Sequence, residues 1–140
     1  EAQSLIDAAK ESFGEGLKMA RSGNRIGDIS AAIQACVEGH GYGVVRSLCG
    51  HGIGKEMHED PEVPNFGKAG HGPRLREGMC IAVEPMITAG DYRVYIAADD
   101  WAFLTRDHSI AAHYENTLAI TADGDPLILT MPNGFDGEDV

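Results

Sequence analysis

No window of the 140-residue chain is strongly basic: 22 Asp and Glu stand against 11 Lys and Arg, for a formal charge of −11. Affinity for nucleic acid and for anionic membrane both need surfaces that neutralise phosphate, so neither partner is expected. Cysteine is scarce and odd in number. Cys36, Cys49 and Cys80 form no Cys-x-x-Cys pair, which points to free thiols and a reducing compartment. No apolar stretch approaches the roughly 20 residues of a membrane span, and the opening Glu1-Ala2-Gln3-Ser4 has none of the charged and apolar blocks of a signal peptide. The expected location is cytoplasmic. With 43% hydrophobic and 24% charged residues, the composition is that of one globular domain of about 100–150 residues. A core of that size folds without disulfides or a structural metal, so a metal here would serve chemistry.

Two helices open the chain. Leu5, Ile6, Ala9, Phe13, Leu17 and Ala20 follow the helical period over residues 4–20, with Ser4 in position to cap the start. After a turn at Arg21 to Asn24, the residues Ile26, Ile29, Ala32, Ile33, Cys36 and Val37 give a second apolar stripe that ends near Gly39 or Gly41. A short strand from Val44 to Leu48 then leads into a loop of glycine and histidine, Cys49 to Gly54. Lys55 to Glu77, rich in proline and glycine, reads as a long ordered loop. Beyond it the period changes to two. Strands are expected at Met79 to Glu84, Tyr92 to Ala97, Trp101 to Thr105, Tyr114 to Thr121 and Pro126 to Thr130, with the last two joined by a tight turn at Ala122-Asp123-Gly124-Asp125. The fold class is α+β, with helices packed on one face of an antiparallel or mixed sheet. Residues 1–131 form the domain, and 132–140 a polar, acidic, frayed tail.

The glycine-rich stretch Gly50-His51-Gly52-Ile53-Gly54-Lys55 is not a nucleotide loop. A Walker loop would need Gly in place of Cys49 and Ser or Thr in place of Glu56, and the dinucleotide fingerprint would need Gly in place of Lys55. What remains is an imidazole flanked by glycines, whose missing side chains let other groups approach and permit unusual backbone angles. His58-Glu59 is no helical zinc motif either, because that motif needs His where Glu62 stands. Glu84 ends the apolar run Met79 to Val83 and precedes Pro85, and Glu115 repeats the pattern beside Leu118, Ala119 and Ile120. A lone carboxylate at a strand end more often faces solvent. Two of them on neighbouring strands, with a glycine-flanked histidine, suit a metal or acid–base site.

Gly50-His51-Gly52-Ile53-Gly54 with His58-Glu59-x-Pro61, Gly78-Met79, Glu84-Pro85-Met86, Tyr114-Glu115-x-Thr117 and Leu129-Thr130 resembles the type I methionine aminopeptidases over residues 3 to 131. These are metalloenzymes of the pita-bread fold, and Met86 favours them over the prolidase and aminopeptidase P relatives. The resemblance implies that His51, Glu84 and Glu115 are metal ligands, with Glu115 bridging two divalent ions (Co, Mn, Fe or Zn). It also implies that His58 contacts the substrate amide, that Glu84 shuttles a proton, and that Met57 and Trp101 line the substrate pocket. The implied activity is removal of the N-terminal methionine from nascent chains through a hydroxide shared by the two ions.

The match to the family's ligand set is incomplete. The family's dinuclear site also takes two aspartates from strands that precede the first helix here, and Asp91, Asp99, Asp100 and Asp107 occupy hairpin positions that do not match them. The chain therefore looks like the C-terminal half of such an enzyme, holding one ion weakly or none and inactive or weakly active by itself. Asn116 stands where the family commonly has histidine. A half-domain could instead be a non-catalytic binding or interaction module, although retention of His51, His58, Glu84 and Glu115 argues against that. A lone half should also expose an apolar face, to be covered by a second copy of itself or by a separate N-terminal half.

Overall fold

Helix α1 (Ala2–Met19) and helix α2 (Ile26–Gly39) lie against one another along the stripes that the sequence marks out. Leu5, Ala8, Ala9 and Phe13 from α1 meet Ile29, Ile33 and Val37 from α2 in the core. The structure, a computed structural model, describes residues 1–131. The tail expected over 132–140 lies outside the described residues. Ser4 does not cap α1, which starts a little earlier, with Glu1 at the cap position and no side-chain cap. The start of α2 is tied down instead by Asp28, whose carboxylate accepts the amides of Arg25 and Gly70, each at 2.7 Å. Those two amides hold its carboxyl below the usual carboxylate range. No helix among the described residues is long and apolar enough to cross a membrane.

The rest of the described chain forms ten strands: β1 (Gly43–Val44), β2 (Gly50–Gly52), β3 (Glu59–Val63), β4 (Cys80–Val83), β5 (Met86–Thr88), β6 (Val94–Ile96), β7 (Phe103–Thr105), β8 (Ala111–His113), β9 (Asn116–Ala119) and β10 (Leu127–Ile128). All their pairings are antiparallel. They form not one sheet but three: β10-β9-β4-β2-β3, β1-β5-β8 and the hairpin β6-β7. The helices pack on strands of the first two, α1 against β5 and β8, and α2 against β1 and β3.

Two expected loops contain strands. Glu59–Val63 pairs with β2 at the sheet edge although Val63 alone of its residues is buried. An edge strand with a solvated face needs little apolar patterning and tolerates Pro61. Gly50–Gly52 is the neighbour of both β3 and β4. Its glycines do not serve unusual backbone angles, since neither lies among the positive-φ glycines; it is backbone that crowds them. A Cβ on Gly50 would stand 2.2 Å from the Ala82 carbonyl oxygen, and one on Gly52 2.2 Å from that of Asp60.

Substitution should expose this crowding. Gly52→Ala forces a backbone carbonyl aside and should cost about 1–3 kcal/mol in urea unfolding. Gly54→Ala should stay within about 0.5 kcal/mol, because its Cβ would meet only the exposed Glu59 side chain. Equal losses for the two variants would refute the close-approach account.

Candidate metal centre

Glu84 and Glu115 come together because two chain segments change sheets at the same level. β4 leaves the five-stranded sheet at Val83 and continues as β5 in the three-stranded sheet, while β8 leaves the latter at His113 and continues as β9 in the former. The registers Val83↔Asn116 and Met86↔His113 place Glu84-Pro85 opposite Tyr114-Glu115. Both carboxylates thus sit at corners, where backbone pairing is interrupted and a side chain can turn inward. Pro85 suits such a corner: it has no amide to pair, and its carbonyl accepts the Tyr114 amide at 3.1 Å. Asn65, fully buried in the segment read as a loop, donates from Nδ2 to the Glu84 carbonyl at 2.8 Å and so fixes the corner from behind.

His51 enters from β2, opposite Ala82 of β4. Its Nδ1 lies 2.8 Å from the Gly52 carbonyl. A carbonyl can only accept, so Nδ1 carries the proton and Nε2 presents its lone pair. That Nε2 is 3.5 Å from Glu84 Oε1. One donor atom from each of His51, Glu84 and Glu115 lies within 4.8 Å of the others. His51 and Glu84 are largely buried and Glu115 is half-exposed. One imidazole and two carboxylates suit a divalent ion of the Zn, Mn, Fe or Co type and leave further coordination positions open.

Sequence reasoning missed His113. Its Nε2 is 3.3 Å from Glu84 Oε2 and 3.8 Å from Glu115 Oε2, so Glu84 stands between two imidazoles. The hydrogen bond to Glu84 raises the His113 pKa above the ordinary histidine value. The available signal was its position two residues before Glu115, at the end of an otherwise bland Ala111-Ala112 strand.

His51, Glu84 and His113 form part of the wall of a cleft of about 490 Å³ whose other side chains are mainly apolar, among them Val45, Leu48, Met86, Val94 and Phe103. His58 lines it as well, its ring centroid 4.2 Å from that of His51. Cys49 also faces the cleft, and burial pushes its thiol pKa up. Met57 and Trp101 are not among the lining residues and are 71% and 85% exposed. Met57 adjoins His58, and Trp101 lies two residues before Phe103.

The aspartates that do not match the family's ligands serve turns. Asp99 accepts the amides of Trp101 and Ala102, Asp107 those of Asp91 and Ser109, and Asp91 pairs with Arg93. Asn116 is buried, and its Oδ1 accepts the Thr130 hydroxyl at 2.7 Å while Thr130 Oγ1 accepts the Thr117 amide. This ties the Thr117 and Thr130 motif positions into one network beside Glu115.

The model of metallopeptidase family M24 matches residues 1–122. The chain belongs to that family. Within family M24 it is 57% identical over 131 residues to the methionine aminopeptidase of Clostridium acetobutylicum, covering 94% of this chain and 52% of that one. It is 45% identical over 120 residues to methionine aminopeptidase 1 of Bacillus subtilis, covering 86% and 48%. The crystal structure of methionine aminopeptidase from Rickettsia prowazekii superposes with a TM-score of 0.90 at 40% identity, over 93% of this chain and 52% of that chain. A prolidase from Pyrococcus horikoshii gives 0.67 at 25% identity, over 92% and 31%. This M24 chain therefore has the pita-bread type of fold and spans about half the length of the curated relatives it matches. The family is one of metallopeptidases, so divalent metal use agrees with the donor set found here.

Proposed function

We propose that this chain is the C-terminal half of a methionine aminopeptidase, supplying one face of its metal centre and the apolar cleft for the first side chain of the substrate. The observation that carries the reading is the convergence of His51, Glu84 and Glu115, with His51, Glu84 and His58 lining an apolar cleft. The relatives' name supports the choice of methionine. An unbranched thioether also suits a pocket walled by Val45, Leu48, Met86 and Phe103.

His51 Nε2 and the carboxylates of Glu84 and Glu115 would hold the ion. A divalent ion bound there supplies Lewis acidity, polarising the scissile carbonyl and lowering the pKa of water. Glu84 accepts a proton from the attacking water and delivers it to the leaving amine. His58 donates to the substrate carbonyl oxygen and steadies the charge that develops on it. Glu115 would be a ligand shared with further metal chemistry if the donors of the other half complete the site. Met57 and Trp101 contact the substrate, and both need further chain or substrate to cover them. Tyr95, Ile96, Phe103 and Leu104 of the β6-β7 hairpin are exposed apolar groups suited to the same cover. The relatives' double length makes a separate or fused N-terminal half the favoured partner, ahead of a second copy of this chain.

Calorimetric titration with Mn(II), which the oxygen-rich first site suits, tests the reading. The metal-free chain should bind one ion weakly and lose that binding in His51→Ala. A fusion to the preceding half of the Clostridium acetobutylicum relative should bind two ions and release methionine from Met-Ala-Ser. Mn(II) binding that survives His51→Ala would refute the centre. A fusion that folds, binds two ions and leaves Met-Ala-Ser intact would refute the activity, and tight dimerisation of the chain with two full sites would refute the missing-half account.

A further inference from the structure

A second group of unlike donors lies on the outer side of the helix pair, built from residues the first site does not use. Glu11 and Glu15 are four apart on α1 and so share one face of it. Cys36 and His40 are four apart at the end of α2. His40 Nε2 meets Glu11 Oε2 across the groove at 2.9 Å. One donor atom each from Glu11, Cys36 and His40 lies within 4.8 Å of the others. Glu15 lines the same groove, a space of about 410 Å³ floored by Ala32, Ala35 and Gly39. Small side chains at those three positions leave the four donors facing open volume rather than packed apolar groups.

We propose that this groove is a binding site for a borderline-soft divalent cation such as Zn(II), with Cys36 Sγ, His40 Nε2 and the Glu11 carboxylate as ligands. Two ligands held about 2.0–2.3 Å from one ion at a tetrahedral angle stand about 3.3–3.7 Å apart. His40 Nε2 and Glu11 Oε2, at 2.9 Å, stand slightly closer than that, and all three donors lie within 4.8 Å of one another, so small side-chain rotations bring them onto one ion. Sulfur, nitrogen and oxygen donors together favour Zn(II) or Co(II) over Mg(II) or Ca(II), which take oxygen. Glu15, now paired with Lys18 at 2.6 Å, is one helical turn from Glu11 and lines the same groove, within reach as a fourth ligand after a change of rotamer. The local charge suits a cation, because the carboxylates of Glu11 and Glu15 line the groove beside Cys36. An ion bound there takes the thiol as thiolate and releases its proton. Bound there, it ties the C-terminal turn of α2 to the middle of α1 and acts as a structural clamp.

Co(II) is the probe, and the His51→Ala chain keeps the first site out of the signal. That variant should still develop near-ultraviolet thiolate-to-cobalt absorption, displaced by Zn(II), and Zn(II) should raise its melting temperature. Adding Cys36→Ser should remove both responses while leaving the far-ultraviolet circular dichroism unchanged. His40→Ala, at an exposed helix end, should weaken Co(II) binding at least about tenfold. Absorption that persists in Cys36→Ser, through Cys49 or Cys80, would overturn the proposal, as would its absence from the His51→Ala chain. Failure here leaves the first site untouched, since that site is read from His51-dependent binding.

Discussion

Glu84→Gln is expected to remove metal binding at the first site while leaving the fold in place. The glutamine has the same shape, and the contact that fixes the corner, from Asn65 Nδ2 to the residue 84 carbonyl, is made by backbone and survives. What disappears is the negative charge between His51 Nε2 at 3.5 Å and His113 Nε2 at 3.3 Å. An amide oxygen is a poorer ligand than a carboxylate and cannot take a proton from water. Losing a hydrogen-bonding partner of a ligand costs about 10–100-fold in metal affinity, so losing the charged ligand itself should cost about 100-fold or more. In the fused form, loss of the proton acceptor should lower Met-Ala-Ser hydrolysis by about 10²–10⁴-fold. Glu84→Asp keeps the charge but withdraws it by one methylene, and it should fall between the two. Calorimetry with Mn(II) and unfolding in urea separate site from fold. Wild-type affinity in Glu84→Gln would remove Glu84 from the ligand set.

How far the sequence discloses this site depends on the kind of signal each residue gives. Both helices are legible because their burial follows a period of 3.6 over nearly four turns or more. Glu84 and Glu115 are legible because a carboxylate closing an apolar strand conflicts with its surroundings. The strand flanked by β3 and β4 is not legible from Gly50-His51-Gly52. Its glycines form a strand because neighbouring backbones approach within a Cβ's reach, a tertiary requirement that local propensity does not express. The edge strand Glu59–Val63 is hidden for the opposite reason, since Glu59, Asp60 and Glu62 are all exposed and give no alternating pattern. His113 depends on register: only the pairing Met86↔His113 brings it beside Glu84. Division of the strands into three sheets is likewise a product of the two corners, and it is these corners that gather the carboxylates.

Among the side chains that join the helices to those corners, Phe13 is the largest, and its removal should have the largest effect on stability. Phe13 is fully buried, and its ring meets Tyr114 edge-on with centroids 5.3 Å apart and planes at 68°. Tyr114 is the residue before Glu115, and its amide is held by the Pro85 carbonyl one residue after Glu84. Phe13→Ala should therefore cost about 3–5 kcal/mol, the transfer term of the ring plus the cavity it leaves. Phe13→Leu, which keeps most of the volume, should cost less than about 1.5 kcal/mol. If α1 positions the metal centre through Tyr114, Phe13→Ala should weaken Mn(II) binding under conditions where circular dichroism shows the chain still folded, and Phe13→Leu should restore it. A variant that loses stability by the expected amount but binds Mn(II) like the parent would show that the two corners hold Glu84 and Glu115 without help from the helix. The mutual pairing of β4 with β9 and β5 with β8 would then suffice to set the site.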